Sequence, residues 1–296
     1  MKNQTFGVEV EMILDREKAA QIVAEYLKGT TYHTFRRIYQ TIEITAEDGR
    51  VWKIMRDSSI GDSTISDDKR CELVTPILKF EDIEPLQEII RKLRKAGAKV
   101  DGTCGTHIHV GAEKHTGKTL QNLINIFYSK DTLLYEALKV RSEGANHYCK
   151  MFKTELIEEI NKIKNPTIET VIDTWYETSN SYSARNRHYH SSRYHGLNLH
   201  SYSTIGTVEF RLFNATLHAG ELKSFIHLAL AINHQALTQK RATATKTSEV
   251  IKHTNHKYTF RCWLLRLKLN GPEFKNTRMH LLKNLEGNTV GNYRAV

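Results

Sequence analysis

Apolar and polar positions alternate almost from the first residue. In Phe6-Gly7-Val8-Glu9-Val10-Glu11-Met12-Ile13, Val8, Val10 and Met12 fall on one side and Glu9, Glu11 and Ile13 on the other. A period of two predicts a β-strand, and it sets the two carboxylates side by side on one face, roughly 6.5–7 Å apart. Asp15 can cap a helix over about 16–28, with Gly29 as its stop signal. Residues 33–45 and 50–56 read as two further strands, with Glu47-Asp48-Gly49 as the hairpin turn between them. The second of these runs into Asp57-Ser58-Ser59 and a polar loop, Gly61 to Lys69, before the strand Cys71 to Pro76, which Pro76 ends or places at an edge. Ile83, Leu86, Ile89, Ile90 and Leu93 are spaced for a helix over 80–96, stopping at Gly97.

Further strand pattern covers 98–111, where His107 and His109 share one face of Cys104-Gly105-Thr106-His107-Ile108-His109-Val110-Gly111. From 116 to about 178 the period is helical, broken near Gly144 and Pro166. Residues 180–195 form a loop dense in Tyr, Ser, Arg and His, read either as a surface loop or as a lid over an anionic substrate. Two strands, His195–Tyr202 and Thr207–Phe213, are expected to form a hairpin through Ser203 to Gly206, with Glu209 and Arg211 on one face. Helices at about 219–238, 256–269 and 272–286 close the chain, and only Arg241–Thr247 resembles a linker. Together these elements predict an α+β fold: one antiparallel sheet with helices on its outer face, in a domain of residues 1–238, and a helical C-terminal extension, 239–296, packed on it.

Composition narrows the class. Hydrophobic residues make up 40% and charged residues 26% of 296, ordinary for a soluble globular protein. No stretch reaches the roughly 18 apolar residues of a membrane span, and no basic-then-apolar leader opens the chain, so a cytoplasmic protein without a membrane partner is expected. Cys71, Cys104, Cys149 and Cys262 are widely spaced and form no Cys-x-x-Cys pair, which favours reduced thiols over structural zinc. The net charge of +10 is uneven: residues 240–296 hold 12 Lys+Arg against 3 Asp+Glu, leaving 31 against 30 in the first 239 residues. A basic tail of this kind either meets an anionic partner or is a solvated helical face.

Glu9, Glu11, Glu72, His107, His109, Glu209 and Arg211 all lie on predicted strands, and in one antiparallel sheet all seven can share a face. Mostly carboxylates with one or two imidazoles suit Mg²⁺ or Mn²⁺ better than zinc. The arginine supplies a fork for phosphate or carboxylate, and such a floor suits chemistry on a nucleotide's phosphates. No Walker loop or GxGxxG occurs.

Gly7-Val8-Glu9-Val10-Glu11, Trp52…Asp57-Ser58-Ser59, Glu72-Leu73-Val74-Thr75-Pro76, Cys104-Gly105-Thr106-His107-Ile108-His109-Val110, Leu197-Asn198-Leu199 and Gly206-Thr207-Val208-Glu209-Phe210-Arg211 occur in an order that resembles the amidoligase family, carboxylate–amine ligases with a glutamine-synthetase-like fold. The resemblance runs from about residue 5 to 238. It implies an ATP-dependent reaction on a curved antiparallel sheet with two divalent cations, Mg²⁺ or Mn²⁺. One would be held by Glu9, His107 and Glu209, and the other by Glu11 and Glu72, with Asp57 a candidate third ligand. His109, Arg211 and Asn198 would meet the ATP, and Glu9, Glu11, Asp57 and Arg211 would be catalytic. The γ-phosphoryl group would pass to a carboxylate, and an amine would then attack the acyl phosphate to form an amide. The substrates would be a small-molecule or peptide carboxylate and an amine, with Arg185, Arg187 and Arg193 in the loop as candidates for carboxylate recognition. One departure is Ser58, which follows Asp57 where relatives often carry Gly.

Three other readings compete. A guanidino-kinase-like phosphotransferase would use the same sheet. A metal-dependent hydrolase would use His107 and His109, but lacks the further histidines and late aspartate of that class. A nucleic-acid-binding protein would use the basic tail and its few aromatics.

Overall fold

β1 (Phe6–Ile13) buries Val8, Val10 and Met12 at 1% exposure or less, so the alternation of the sequence is realised as one dry face and one carboxylate-bearing face. The structure is a computed structural model, and it describes residues 1–34, 38–179, 185, 187, 189–247 and 255–290. They divide into two units: Lys2–His109 with Phe213–Lys223, and Met1 with Val110–Leu212 and Ser224–Val296. The fold is α+β with antiparallel strand pairing, as the patterning predicts.

In the first unit β1 is followed by α1 (Arg16–Leu27), β2 (Thr30–Thr34), β3 (Thr41–Thr45), β4 (Val51–Arg56), β5 (Arg70–Val74), α2 (Ile83–Lys95) and β6 (Gly105–Gly111), the last of which begins here. The strands lie in the order β2-β3-β4-β5-β1-β6. Asp15 caps α1 by accepting from Lys18 N at 2.8 Å, and Lys28, at φ 50°, closes the helix just before Gly29. Gly49, at φ 84°, makes the tight turn between β3 and β4, donating to Ala46 O at 2.9 Å. Helix α1 packs on β3 and β4, and α2 packs on α1. This layer covers the face that carries Val10, Ile44, Ile54 and Leu73, all fully buried. Burial of such side chains is worth roughly 1.5–3 kcal/mol each; it fixes the register, and the register puts Glu9, Glu11 and Glu72 on the other face.

The second unit contains α3 (Gly117–Leu138), α4 (Ser142–His147), α5 (Thr154–Lys162), α6 (Ile168–Thr178), β7 (Leu197–Asn198), α7 (His200–Ile205) and most of β8 (Thr207–Asn214). Most of α8 (Ala219–Thr238), α9 (His256–Arg266) and α10 (Lys275–Leu282) follow. Thr116 and Thr167 cap α3 and α6 in reciprocal capping boxes. Helix α3 packs with α5, α6 and α10 around a core that includes Leu123, Phe127, Ile160 and Val171.

Two expectations need correction. Residues 33–45 are not one strand: β2 begins at Thr30 and pairs antiparallel with β3, Tyr32 opposite Glu43. The chain doubles back with Gln40 at φ 41°, a conformation that no Gly or Asn advertised in the sequence. Nor is His195–Tyr202 a strand, since only Leu197 and Asn198 pair with β8 and His200–Ile205 is helical. Local hydrogen bonds favour the helix: Asn198 Oδ1 accepts from His200 N at 2.7 Å, and Ser201 Oγ donates to Asn198 O and Thr207 O. Gly206, at φ 72°, ends it.

Candidate active site

Sheet register places Glu9, Glu11 and Glu72. Glu11 stands opposite Glu72 across β1 and β5, and Glu9 stands opposite Val74. Alongside β1, β6 brings His107 Nδ1 to 3.0 Å from Glu9 Oε2 and His109 Nε2 to 3.2 Å from Glu9 Oε1. Burial opposes ionisation of Glu9, but the charge and hydrogen bonds of His109 and His107 prevail and hold its carboxyl well below the usual carboxylate range. Gly105 N donates to Glu11 Oε2 at 2.6 Å. A Cβ at position 105 would sit 3.1 Å from His107 Nε2, so the glycine lets the β6 backbone approach this crowded corner.

Two groups of ligand atoms result. Glu9, Glu72 and His107 form one, and Glu11, Asp57 and Glu72 form the other; within each, one atom per residue lies within 4.8 Å of the rest. Glu72 belongs to both. Carboxylates at such separations repel, and the repulsion grows as water is excluded. Glu11 is 5% and Glu72 9% exposed. Hard oxygen donors with one imidazole fit Mg²⁺ or Mn²⁺, and the shared carboxylate suits two adjacent cations.

Asp57 is held by its own loop: Oδ1 accepts from Ser59 N and Ser59 Oγ, both at 2.7 Å. Among the described non-glycine residues a positive φ occurs at Lys28, Gln40, Lys139 and Lys268 and not at Ser58, so this turn does not require the glycine that relatives often carry. Sequence patterning missed Arg70, whose guanidinium gathers the carbonyls of this loop. The only signal available was an arginine at the mouth of a Gly- and Asp-rich segment, and that is a common arrangement.

The second unit holds a polar group of its own. Glu209 and Arg211 share one face of β8, and Asn198 on β7 is paired with Glu209. Arg211 NH1 donates to Glu209 Oε1 at 2.6 Å, and Asn198 Nδ2 donates to Glu209 Oε2 at 2.6 Å. All three are under a tenth exposed. A buried carboxylate with charge and amide partners on both oxygens is held rigidly. Of the loop 180–195, read as a surface loop or a lid, residues 180–184, 186 and 188 lie outside the described residues. Within it Arg185 pairs with Asp173 and lies over the Tyr176 ring, while Arg193 lies 5.4 Å from the Tyr189 ring and 5.9 Å from that of Tyr194.

The family described as "Putative amidoligase enzyme" matches residues 2–233, well over half of the chain. The chain belongs to this family. It is therefore an enzyme of the amidoligase type, and both polar groups fall inside the matched residues. A comparison with curated proteins found no match. No helix among the described residues is long and apolar enough to cross a membrane.

Proposed function

We propose that this amidoligase is an ATP-dependent carboxylate–amine ligase that forms an amide through an acyl phosphate, with two divalent cations. The observation that carries the reading is Glu72, shared between two ligand groups, one with Glu9 and His107 and one with Glu11 and Asp57. These residues would hold Mg²⁺ or Mn²⁺, which when bound would offset charge on phosphate oxygens. A carboxylate is a poor electrophile, and phosphorylation turns one of its oxygens into a leaving group. Transfer of the γ-phosphoryl group of ATP to the substrate carboxylate gives ADP, and attack of a neutral amine at the activated carbonyl releases phosphate and a proton. No side-chain nucleophile is needed. His109, Arg211 and Asn198 are assigned to the nucleotide, as in the family pattern. The compensated charge of Arg211, fixed against Glu209, is suited to stabilising a phosphoryl group by preorganised electrostatics.

The test has two parts. Thermal unfolding with ATP or ADP should rise by a few degrees only when Mg²⁺ is present, since ligand at a hundred times its dissociation constant adds about 2.7 kcal/mol. The shift should be absent in Glu9→Gln. Paired carboxylates and amines are then screened for ADP and phosphate release together with an amide. A phosphorylated amine with no free phosphate would instead indicate the phosphotransferase. No nucleotide-dependent shift with either cation would remove the reading.

A further inference from the structure

We propose that Arg70 is the positioning residue that holds Asp57 against Glu11 and Glu72; this rests on the two-metal reading above. Arg70 opens β5, two residues before Glu72, and its backbone is fixed on both sides. It pairs with Ile13 across the ladder, and its carbonyl accepts from Arg16 NH1 at 3.2 Å. Its side chain turns to the loop after β4. NH1 donates to Ser58 O at 2.9 Å, to Gly61 O at 3.4 Å and to Ile60 O, and NH2 donates to Asp62 O at 2.6 Å.

Those four carbonyls belong to the segment that begins at Asp57, and Asp57 is tied to the same segment through Ser59. The far side of the loop is pinned as well. Gly61 N donates to Thr103 Oγ1 at 2.6 Å, and Ile60 is fully buried against Cys104 and Ala215. No strand or helix covers residues 57–66, so the position of the Asp57 carboxylate follows from these anchors rather than from a ladder. A third carboxylate beside Glu11 and Glu72 is repelled by them, and a loop without anchors would swing away. Only a planar guanidinium presents enough donors in a fixed fork to collect several carbonyls at once; an ammonium on a flexible stem does not. Arg70 thus acts on the metal through Asp57 and touches no reacting atom.

Mn²⁺ titration of the full-length chain, read by electron paramagnetic resonance, tests this in wild type, Arg70→Ala, Arg70→Lys, Asp57→Asn and the Arg70→Ala/Asp57→Asn double variant. Arg70→Ala should weaken one of two Mn²⁺ sites by about tenfold or more, the range for residues that orient ligands, and leave the other within about twofold. Arg70→Lys should fall between, and Arg70→Ala should add nothing in the Asp57→Asn background. Unchanged affinity, equal loss at both sites, or full additivity in the double variant would overturn the assignment. Amide hydrogen exchange at residues 58–62 provides a readout without metal: faster exchange in Arg70→Lys and Arg70→Ala is expected, and unchanged protection overturns the proposal. A wild-type chain that binds no Mn²⁺ would sink the metal reading instead, and the exchange data would then decide Arg70 alone.

Discussion

Glu11 and Glu72 face each other directly across the antiparallel β1–β5 ladder, 5% and 9% exposed. Directly opposed residues of an antiparallel pair have Cβ atoms about 4.5–5.5 Å apart, and like charges there are destabilising. The dry side of the same strands, with Val10 and Leu73 fully buried, admits no slip by one residue without turning the whole core outward. Packing on one face therefore enforces an electrostatically unfavourable contact on the other. Such a contact fits the cation site proposed above, where bound positive charge would relieve it.

Replacing one of the two carboxylates separates these effects. In buffer with EDTA, Glu72→Gln should leave the unfolding free energy unchanged or raise it by up to about 1 kcal/mol, because a like-charge contact is removed. In millimolar Mg²⁺ the order should reverse, since wild type gains binding energy and the variant, lacking the carboxylate common to both groups, does not. Thermal melts under the two conditions decide. A large loss already in EDTA would mean that the Glu72 carboxylate is held for structural reasons.

Glu209 and Arg211 predict a different response. Removing the arginine takes the charged partner from a carboxylate that is 3% exposed, while Asn198 stays on its other oxygen. Arg211→Ala should cost about 3–5 kcal/mol in urea unfolding, whereas Glu209→Gln should cost less. The single amide oxygen of a glutamine can accept only one of the two bonds, but the substitution keeps the side chain's shape and takes the charged partner from Arg211, which is 9% exposed against 3% for Glu209. Full additivity of the two costs in the double variant would show that the pair is not the dominant interaction of either residue.

Which parts of this were legible in sequence follows from what fixes each residue. Glu9, Glu11 and Glu72 stand on strands whose other faces are apolar in strict alternation, so their shared side was written in the period. Asp57 and Arg70 are joined by a loop whose geometry depends on carbonyl positions, which no period encodes. Residues 195–202 were read as a strand, but Asn198 and Ser201 offered the backbone local partners that favoured a helical turn from His200. The β2–β3 turn was hidden for the opposite reason: Gln40 adopts a positive φ without a residue that signals it.

Stability should also fall on mild acidification through His115. The ring is 5% exposed, with Nδ1 3.0 Å from Thr119 Oγ1 and Nε2 2.9 Å from Asn233 Oδ1. Burial lowers its pKa, opposed in part by the bond to Asn233 and the charge of Glu113. Its folded pKa thus lies below the unfolded value near 6.5, so the unfolded chain binds the proton more readily. The stabilisation is fully present above that value and declines as pH falls below it. Unfolding free energies at pH 7.5 and 5.5 should differ less in His115→Gln than in wild type; an identical slope would exclude the residue as a contributor.

The basic C-terminal segment provides the last prediction. Lys246 Nζ lies 2.9 Å from Asp131 Oδ2 and 3.2 Å from Oδ1, and 4.4 Å from the Tyr128 ring centroid. Asp131 is 1% exposed on α3, and Asn122 of the same helix donates to Gln239 O and accepts from Ala242 N. Part of the positive charge of the segment is therefore used to neutralise a buried acid of its own unit. Lys246→Ala should destabilise the protein by about 2–3 kcal/mol, below the roughly 3–5 of a fully buried pair, because the lysine side chain is 21% exposed and Asp131 also accepts from Thr132 N. Denaturant unfolding measures this directly. The nucleic-acid reading predicts the reverse pattern: an unchanged midpoint and a loss of affinity for DNA or RNA that steepens as salt is lowered.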